Sequence, residues 1–463
     1  MKEVTAAKGV KAEEHAEAVL AALVRAGLPE AEVYLKEGRS RRLALGLAGA
    51  EHQVLVEEGW SVRAGDRRAA FFAAGTGRPE PQGPWPAPQG FPSPLPDPSP
   101  VVRWTDPPDL DSPLLTELEA QALLNAVAEA LAAELPGATL VEAVLEDGSS
   151  ASTLASSHGI RARWRHRVAW ARLVAALPES APAGAALGAP VRATVEQGAR
   201  EARRLQPRAL ARALADRLAV RARGDLPGRE TGDVVLAPAV AARLLAALLP
   251  LLVGLEARER AAPLVDRAGR IGSAQLSIVD DGRLPNGLLA AAVDGEGVPT
   301  RAVPLVEGGL YRQPLLAWWQ ARGLGNGAGS GNGPARVASG CSARPSFRDL
   351  PRPGPTHLFV RPQEGVRPAM LVGDLARGCY LLDVDGPGHF DLAGDRFALP
   401  VCGFQLDAGA ARRPLAGGWL TGSIGALLRG VAGVARDLAF FPLGGMIGSP
   451  TLRVTGLEVR PGE

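Results

Sequence analysis

Residues 233–256, DVVLAPAVAARLLAALLPLLVGLE, divide the chain into two unlike halves. Val234, Val235 and Leu236 make a β-branched start too short for a helix and ended by Pro238, so a short strand is predicted. Residues 239–253 are almost wholly Ala, Leu and Val, with Arg243 as the lone charge, and predict a buried helix. That helix contains no His, Cys, Asp, Glu or Ser. It can pack, but it cannot supply an acid, a base, a nucleophile or a metal ligand. At about fifteen residues, interrupted by Pro250, it is shorter than the roughly 20 that a bilayer crossing needs.

Working outward, 463 residues are too many for one simple core, and a bilobal α+β chain is expected. An N-terminal α/β domain with helices on a sheet is assigned to 1–225, and a mostly β domain with a large sheet or an open barrel to 226–463. The 51 basic and 49 acidic side chains leave a net charge of +2, which implies no bulk attraction to nucleic acid or an anionic membrane. The start, MKEVTAAKGVKAEEH, has no apolar run of the secretory kind, so a cytoplasmic location is expected. Cys341, Cys379 and Cys402 are odd in number and far apart, which fits a reduced compartment and argues against a disulfide framework.

In the N-terminal half, apolar residues at helical spacing predict a helix over 13–26, stopped by Gly27. Strands at 32–36, 42–47, 53–56 and 69–73 then read as an antiparallel meander beneath it. Residues 77–110 hold twelve prolines, a density that forbids helix and central strand. They read as an extended strap pinned by its aromatics. A helix over 112–135 capped by Ser112, strands at 138–146 and 159–177, and a helical region over 195–222 follow. Arg161, Arg163, Arg165 and Arg167 alternate on one strand face, which reads as solvated.

Past the dividing stretch, strands end in glycine turns: 276–279 at Asp280-Asp281-Gly282, and 301–310 at the corner Glu307-Gly308-Gly309. Residues 314–323 predict a short helix, and 422–435 another among the strands of 357–459. GLGNGAGSGNGP, 323–334, lacks the Gly-Lys-Ser/Thr ending of a phosphate loop and reads as a surface loop or lid. No histidine has another within four residues, which excludes a zincin-type helix. Gly327-Ala328-Gly329-Ser330-Gly331 has no flanking elements to make a nucleophile elbow. The paired carboxylates Asp280/Asp281 and Asp294/Glu296 sit beside glycine, where turn capping is the ordinary reading.

The order VVLAPAVAARLLAAL, QLSIVDDG, VDGEGVPTRAVPLVEGGLYRQPLL, GCYLLDVDGPGHFDLAGDRFALPVCGFQL and VARDLAFFPLGGMIGSPTLRVTGLEV resembles the TldD/TldE (PmbA-like) metallopeptidase family over about residues 230–460. GLPEAEVYL, EEGWSVRA and ASSHGIRARW extend the resemblance more weakly into the first half. It implies a bilobal chain from a pair in which a TldD subunit holds zinc on a His-Glu-x-x-x-His helix and a TldE subunit lacks the motif. The pair clips unfolded peptides, including leader peptides of modified natural products, with the peptide bound as an added strand. Here the motif positions fall at Ala246, Ala247 and Leu251, and no Cys follows Cys402 to match the TldD ligand near the C-terminus.

The resemblance therefore implies a TldE-like, non-catalytic subunit that binds no cofactor itself and pairs with a zinc-bearing TldD-like subunit. A homodimeric, non-enzymatic module binding a peptide or a partner is the alternative. Asp294, Glu296 and Arg301 are candidate peptide contacts because a charged turn beside a strand can orient a backbone. His389 and Asp391 join them as part of a Gly-flanked loop in the matched region.

Overall fold

The computed structural model describes residues 2–461 apart from 47–48, 67, 91–93, 101–102, 179–189, 323–336 and 374. The 323–334 loop therefore lies outside the described residues. The first half runs α1 (Lys2–Arg25), β1 (Glu30–Gly46), β2 (Gly49–Gly65), β3 (Ala70–Thr76), α2 (Glu117–Glu134), β4 (Thr139–Ser156), β5 (Arg161–Leu177), β6 (Val191–Ala199) and α3 (Pro207–Arg223). The six strands form one antiparallel sheet in the order β3-β2-β1-β4-β5-β6. Ala16, Val19, Leu20 and Leu23 of α1 pack on Val33, Leu35 and Val62, while α2 and α3 cover the other end of the sheet.

Several local expectations are corrected here. The strands expected at 32–36 and 42–47 are one, β1, because its ladders to β2 and β4 run unbroken through Gly38 and Ser40. Helix α2 starts at Glu117, not at Pro113, because Thr116 and Glu119 form a reciprocal capping box. The helical region expected over 195–222 is helix only from Pro207, as α3, because 195–199 belong to strand β6 and pair with β5. Arg167 is not solvated. It is fully buried and donates to Asp147 across the β4–β5 ladder at 2.9 Å. Within the 77–110 segment Trp85 packs edge-on to Trp60 and stacks near Phe71, Pro108–Asp111 form a short 3-10 helix, and 91–93 and 101–102 lie outside the described residues.

The second half continues with β7 (Glu230–Leu236), α4 (Pro238–Ala247), α5 (Leu249–Leu252), α6 (Ala257–Ala261), β8 (Ile278–Asp281), β9 (Ala302–Glu307), β10 (Leu310–Tyr311) and α7 (Trp318–Ala321). Then come β11 (Ser342–Ala343), β12 (Arg352–Pro353), β13 (His357–Val360), α8 (Pro368–Gly373), β14 (Arg377–Val384), β15 (His389–Asp391), β16 (Arg396–Asp407) and β17 (Ala410–Gly422). The last elements are α9 (Ile424–Arg429), β18 (Val431–Val434), β19 (Ala439–Pro442), β20 (Met446–Ser449) and β21 (Leu452–Pro461). The expected helix over 422–435 is thus only α9, because Gly430 ends it and 431–434 pair with β21.

Strands β14, β7, β21, β17 and β16 pair in sequence, and β16 pairs back onto β14, so the barrel is closed. Closure leaves no free edge within the ring. Beside it lies a mixed sheet in the order β10-β9-β8-β13-β20-β19. The dividing stretch joins the two. Val234 and Leu236 of β7 face the same apolar core as Val240, Leu244, Leu245, Leu251 and Leu252, whereas Val235 points to the opposite face against Leu375 and Leu406. The expected single helix over 239–253 is broken at Leu248, next to Pro250, into α4 and α5. Among the described residues no helix is long and apolar enough to cross a membrane.

Candidate functional site

Ala246 and Ala247 lie half-buried at the end of α4, and Leu251 is 1% exposed in the core on α5. None of the three side chains carries a lone pair. Among the described residues no group of three His, Cys, Asp or Glu could hold a metal ion. The donor set at these positions does not fit zinc, which needs three or four N, O or S ligands.

A cleft of about 580 Å³ opens beside the first turns of α4. Strand β6, helix α3, residues 383–386 at the end of β14 and Phe441 of β19 form its walls. A second hollow of about 500 Å³ continues it past Glu196, Arg217 and Phe441 toward His357. Both β6 and β19 are edge strands of their sheets. His357 is already committed on both ring nitrogens: Nδ1 donates to the Asp281 carbonyl at 3.0 Å, and Nε2 accepts from the Leu289 N–H at 3.2 Å. Burial lowers its pKa, so it sits neutral.

The most concentrated ionisable group lies elsewhere, where the turn at 294–298 meets the N-terminal sheet. Asp294 Oδ1 accepts from the Glu296 and Val298 N–H groups at 2.8 and 3.0 Å, and Oδ2 accepts from the Ser342 N–H at 2.9 Å. Glu296 Oε2 accepts from the Trp318 N–H at 2.9 Å and from the Ser342 hydroxyl. Glu296 Oε1 is buried without a hydrogen bond, 4.0 Å from the Arg63 guanidinium. Arg63 forms a two-pronged pair with Glu32 at 3.0 and 2.8 Å, and Arg344 bridges Glu32 to the Gly295 carbonyl. Arg344 also lies over the Tyr34 ring, 4.7 Å from its centroid.

Burial raises the Asp294 carboxyl to about 7, with the neighbouring Glu296 charge adding to it. Glu296 is raised too, again by burial. Burial also acts against ionised Glu32, but Arg344 and Arg63 outweigh it and hold that carboxyl low. Glycine is required within the turn. Gly297 has φ +77°, and a Cβ there would come within 2.8 Å of Ile160 and Leu154.

Asp294 and Glu296 are therefore brought together, but facing inward, with Asp294 capping its own turn. Arg301 remains exposed and donates to the Ala338 carbonyl at 3.1 Å. His389 and Asp391 are exposed on β15, alongside the barrel, where Asp391 accepts from the Gly394 N–H at 2.8 Å. Sequence reading missed Glu32, Arg63, Arg344 and Ser342. A signal was present: Glu32 lies in GLPEAEVYL, Arg63 in EEGWSVRA and Ile160 in ASSHGIRARW, the three N-terminal fragments of the resemblance.

The family model for the PmbA/TldA metallopeptidase C-terminal domain matches residues 229–461. A metalloprotease TldD homolog from Buchnera aphidicola subsp. Schizaphis graminum is 25% identical over 204 residues, 41% of this chain and 39% of that protein. The chain thus aligns with about two fifths of that relative's length. A crystal structure described as a candidate modulator of a DNA gyrase, from Thermotoga maritima, superposes with TM-score 0.80 at 16% identity, covering 96% of this chain and 99% of the other. TldE from Thermococcus kodakarensis superposes with TM-score 0.79 at 16% identity, covering 96% and 100%. At these identities the structural matches establish the shared fold.

Proposed function

Because the chain belongs to the PmbA/TldA (TldD/TldE) metallopeptidase family, we propose that it is the TldE-like member of a two-chain zinc peptidase. In this reading it binds no metal itself, pairs with a TldD-like chain that holds the zinc, and helps seat an unfolded peptide in extended form. Leader peptides of modified natural products are the substrate class expected. The observation that carries the reading is the aliphatic character of Ala246, Ala247 and Leu251, with Leu251 sealed in the core. The cleft beside α4, bounded by two edge strands, supports a role in holding peptide. The buried, unpaired cysteines Cys341, Cys379 and Cys402 fit a cytoplasmic location.

Co-expression with a TldD-like chain from the same source, followed by metal analysis of each separated subunit, tests the reading. Zinc is expected in the partner alone, with cleavage of unfolded peptide by the pair and not by this chain. Stoichiometric zinc in the isolated chain would overturn it, as would cleavage by the isolated chain in the presence of chelator. A homodimer that binds peptide and captures no TldD-like chain would instead support the non-enzymatic module.

A further inference from the structure

We propose that the cleft beside α4 is an anion subsite that takes a carboxylate of the bound peptide, a proposal that rests on the peptide-binding reading above. Its walls carry Arg172, Arg192, Arg217, Arg221 and Arg243 against Glu196, Asp383 and Asp385. The pairings are uneven. Arg217 donates to Asp383 at 2.8 Å, and Arg221 to Asp385 at 2.7 Å and to Asp383 at 3.0 Å, so these two cations are matched by two carboxylates. Arg172 and Arg192 share Glu142 and Glu196 at 3.4 to 3.7 Å, with their side chains 44% and 54% exposed. Arg243 is exposed and has no ion pair or hydrogen bond among the described residues. It projects from the one helix face of the dividing stretch that carries charge.

A second feature points the same way. Ala239, in the first turn of α4, lines the cleft, and the N-cap Ala237 offers no side-chain acceptor to that turn. The turn's N–H groups lack intrahelical partners and carry the positive end of the helix dipole, and they lie close to the part of the cleft that Ala239 lines. Arginine suits a carboxylate better than lysine does, because its planar fork can donate two parallel hydrogen bonds. The bound anion is either an acidic side chain or the peptide's C-terminal carboxylate.

The test measures binding of fluorescent decapeptides to the full chain at low salt, where screening is weak. One peptide is neutral with both ends blocked, a second carries two Glu with blocked ends, and a third is neutral with a free C-terminus. About tenfold tighter binding of the second identifies a side-chain carboxylate, and of the third a terminal one. Either preference is expected to vanish in Arg243→Glu and to persist in part in Arg243→Lys. Equal binding of all three overturns the subsite while leaving the peptide reading standing. If no peptide binds, the peptide reading falls and succinate decides. A succinate-induced rise in thermal midpoint that is lost in Arg243→Glu keeps the subsite, and no such rise removes it.

Discussion

The α4–α5 stretch and the turn at 294–298 are both buried in the C-terminal half, and they are buried in opposite ways. The helical stretch contributes Val240, Leu244, Leu245, Leu251 and Leu252 to an apolar core. The turn places Asp294 and Glu296 beside Glu32, Arg63 and Arg344. The first region is cheap to bury and chemically inert. The second needs every partner in place, because an ion left alone in the interior costs several kcal/mol. The helical stretch is thus the bland one, and the ionisable density lies where the two halves meet.

The comparison can be broken most sharply at Arg63. Arg63→Ala leaves Glu32 with Arg344 alone and Glu296 with no nearby cation, and is expected to cost about 3–5 kcal/mol in urea-unfolding experiments. A cost below about 1 kcal/mol would mean that the turn is held by its backbone hydrogen bonds instead. Leu251→Ala tests the apolar region. Removing a fully buried leucine is expected to cost about 2–5 kcal/mol, and a neutral result would show that α5 does not belong to the core.

A pH series separates the two regions, since only one titrates. Asp294 is raised in the folded protein to about 7 from an ordinary carboxylate value. Between those values the folded state binds more protons than the unfolded one, so this group's contribution is fully present at low pH and is lost as pH rises through about 7. The expected slope is at most about 1.4 kcal/mol per pH unit for one proton. Glu32, held low, works in the opposite sense and is lost only as pH falls through its depressed value. Carboxyl carbon NMR checks the first claim directly, and a midpoint for Asp294 near 4 would contradict it. Smallest of all should be Ala247→Glu. Residue 247 is half-buried at the helix end, so a shift of about 0.5 kcal/mol is expected, and no zinc uptake.

Much of the architecture was legible because local chemistry and tertiary environment agree. The strand-to-helix run at 233–252 is apolar on every face that becomes buried, and the Gly308-Gly309 corner holds two residues with positive φ. What escaped the sequence depends on register. Arg167 looked solvated because its partner Asp147 sits on the neighbouring strand, and nothing local says that this end of the face is covered by the segment before α2. The second half of strand β6, 195–199, read as the start of a helix because its pairing with β5 is not visible locally. Asp294 was legible as a turn cap and is one, but the burial of Glu296 beside Arg63 depends on a residue from the other half of the chain.

The closed ring of five strands has a consequence for how the chain can be made. Strand β7, at residues 230–236, is hydrogen-bonded on one side to β14 and on the other to β21, at residues 452–461. During synthesis β7 emerges long before β21, and the apolar face it shares with α4 stays without its full cover until residues 452–461 have left the ribosome. Long-range pairing of this kind is slow and leaves sticky surface exposed in the meantime. The sheet of the first half, in which four of five pairings join strands consecutive in the chain, has no such wait for the C-terminus.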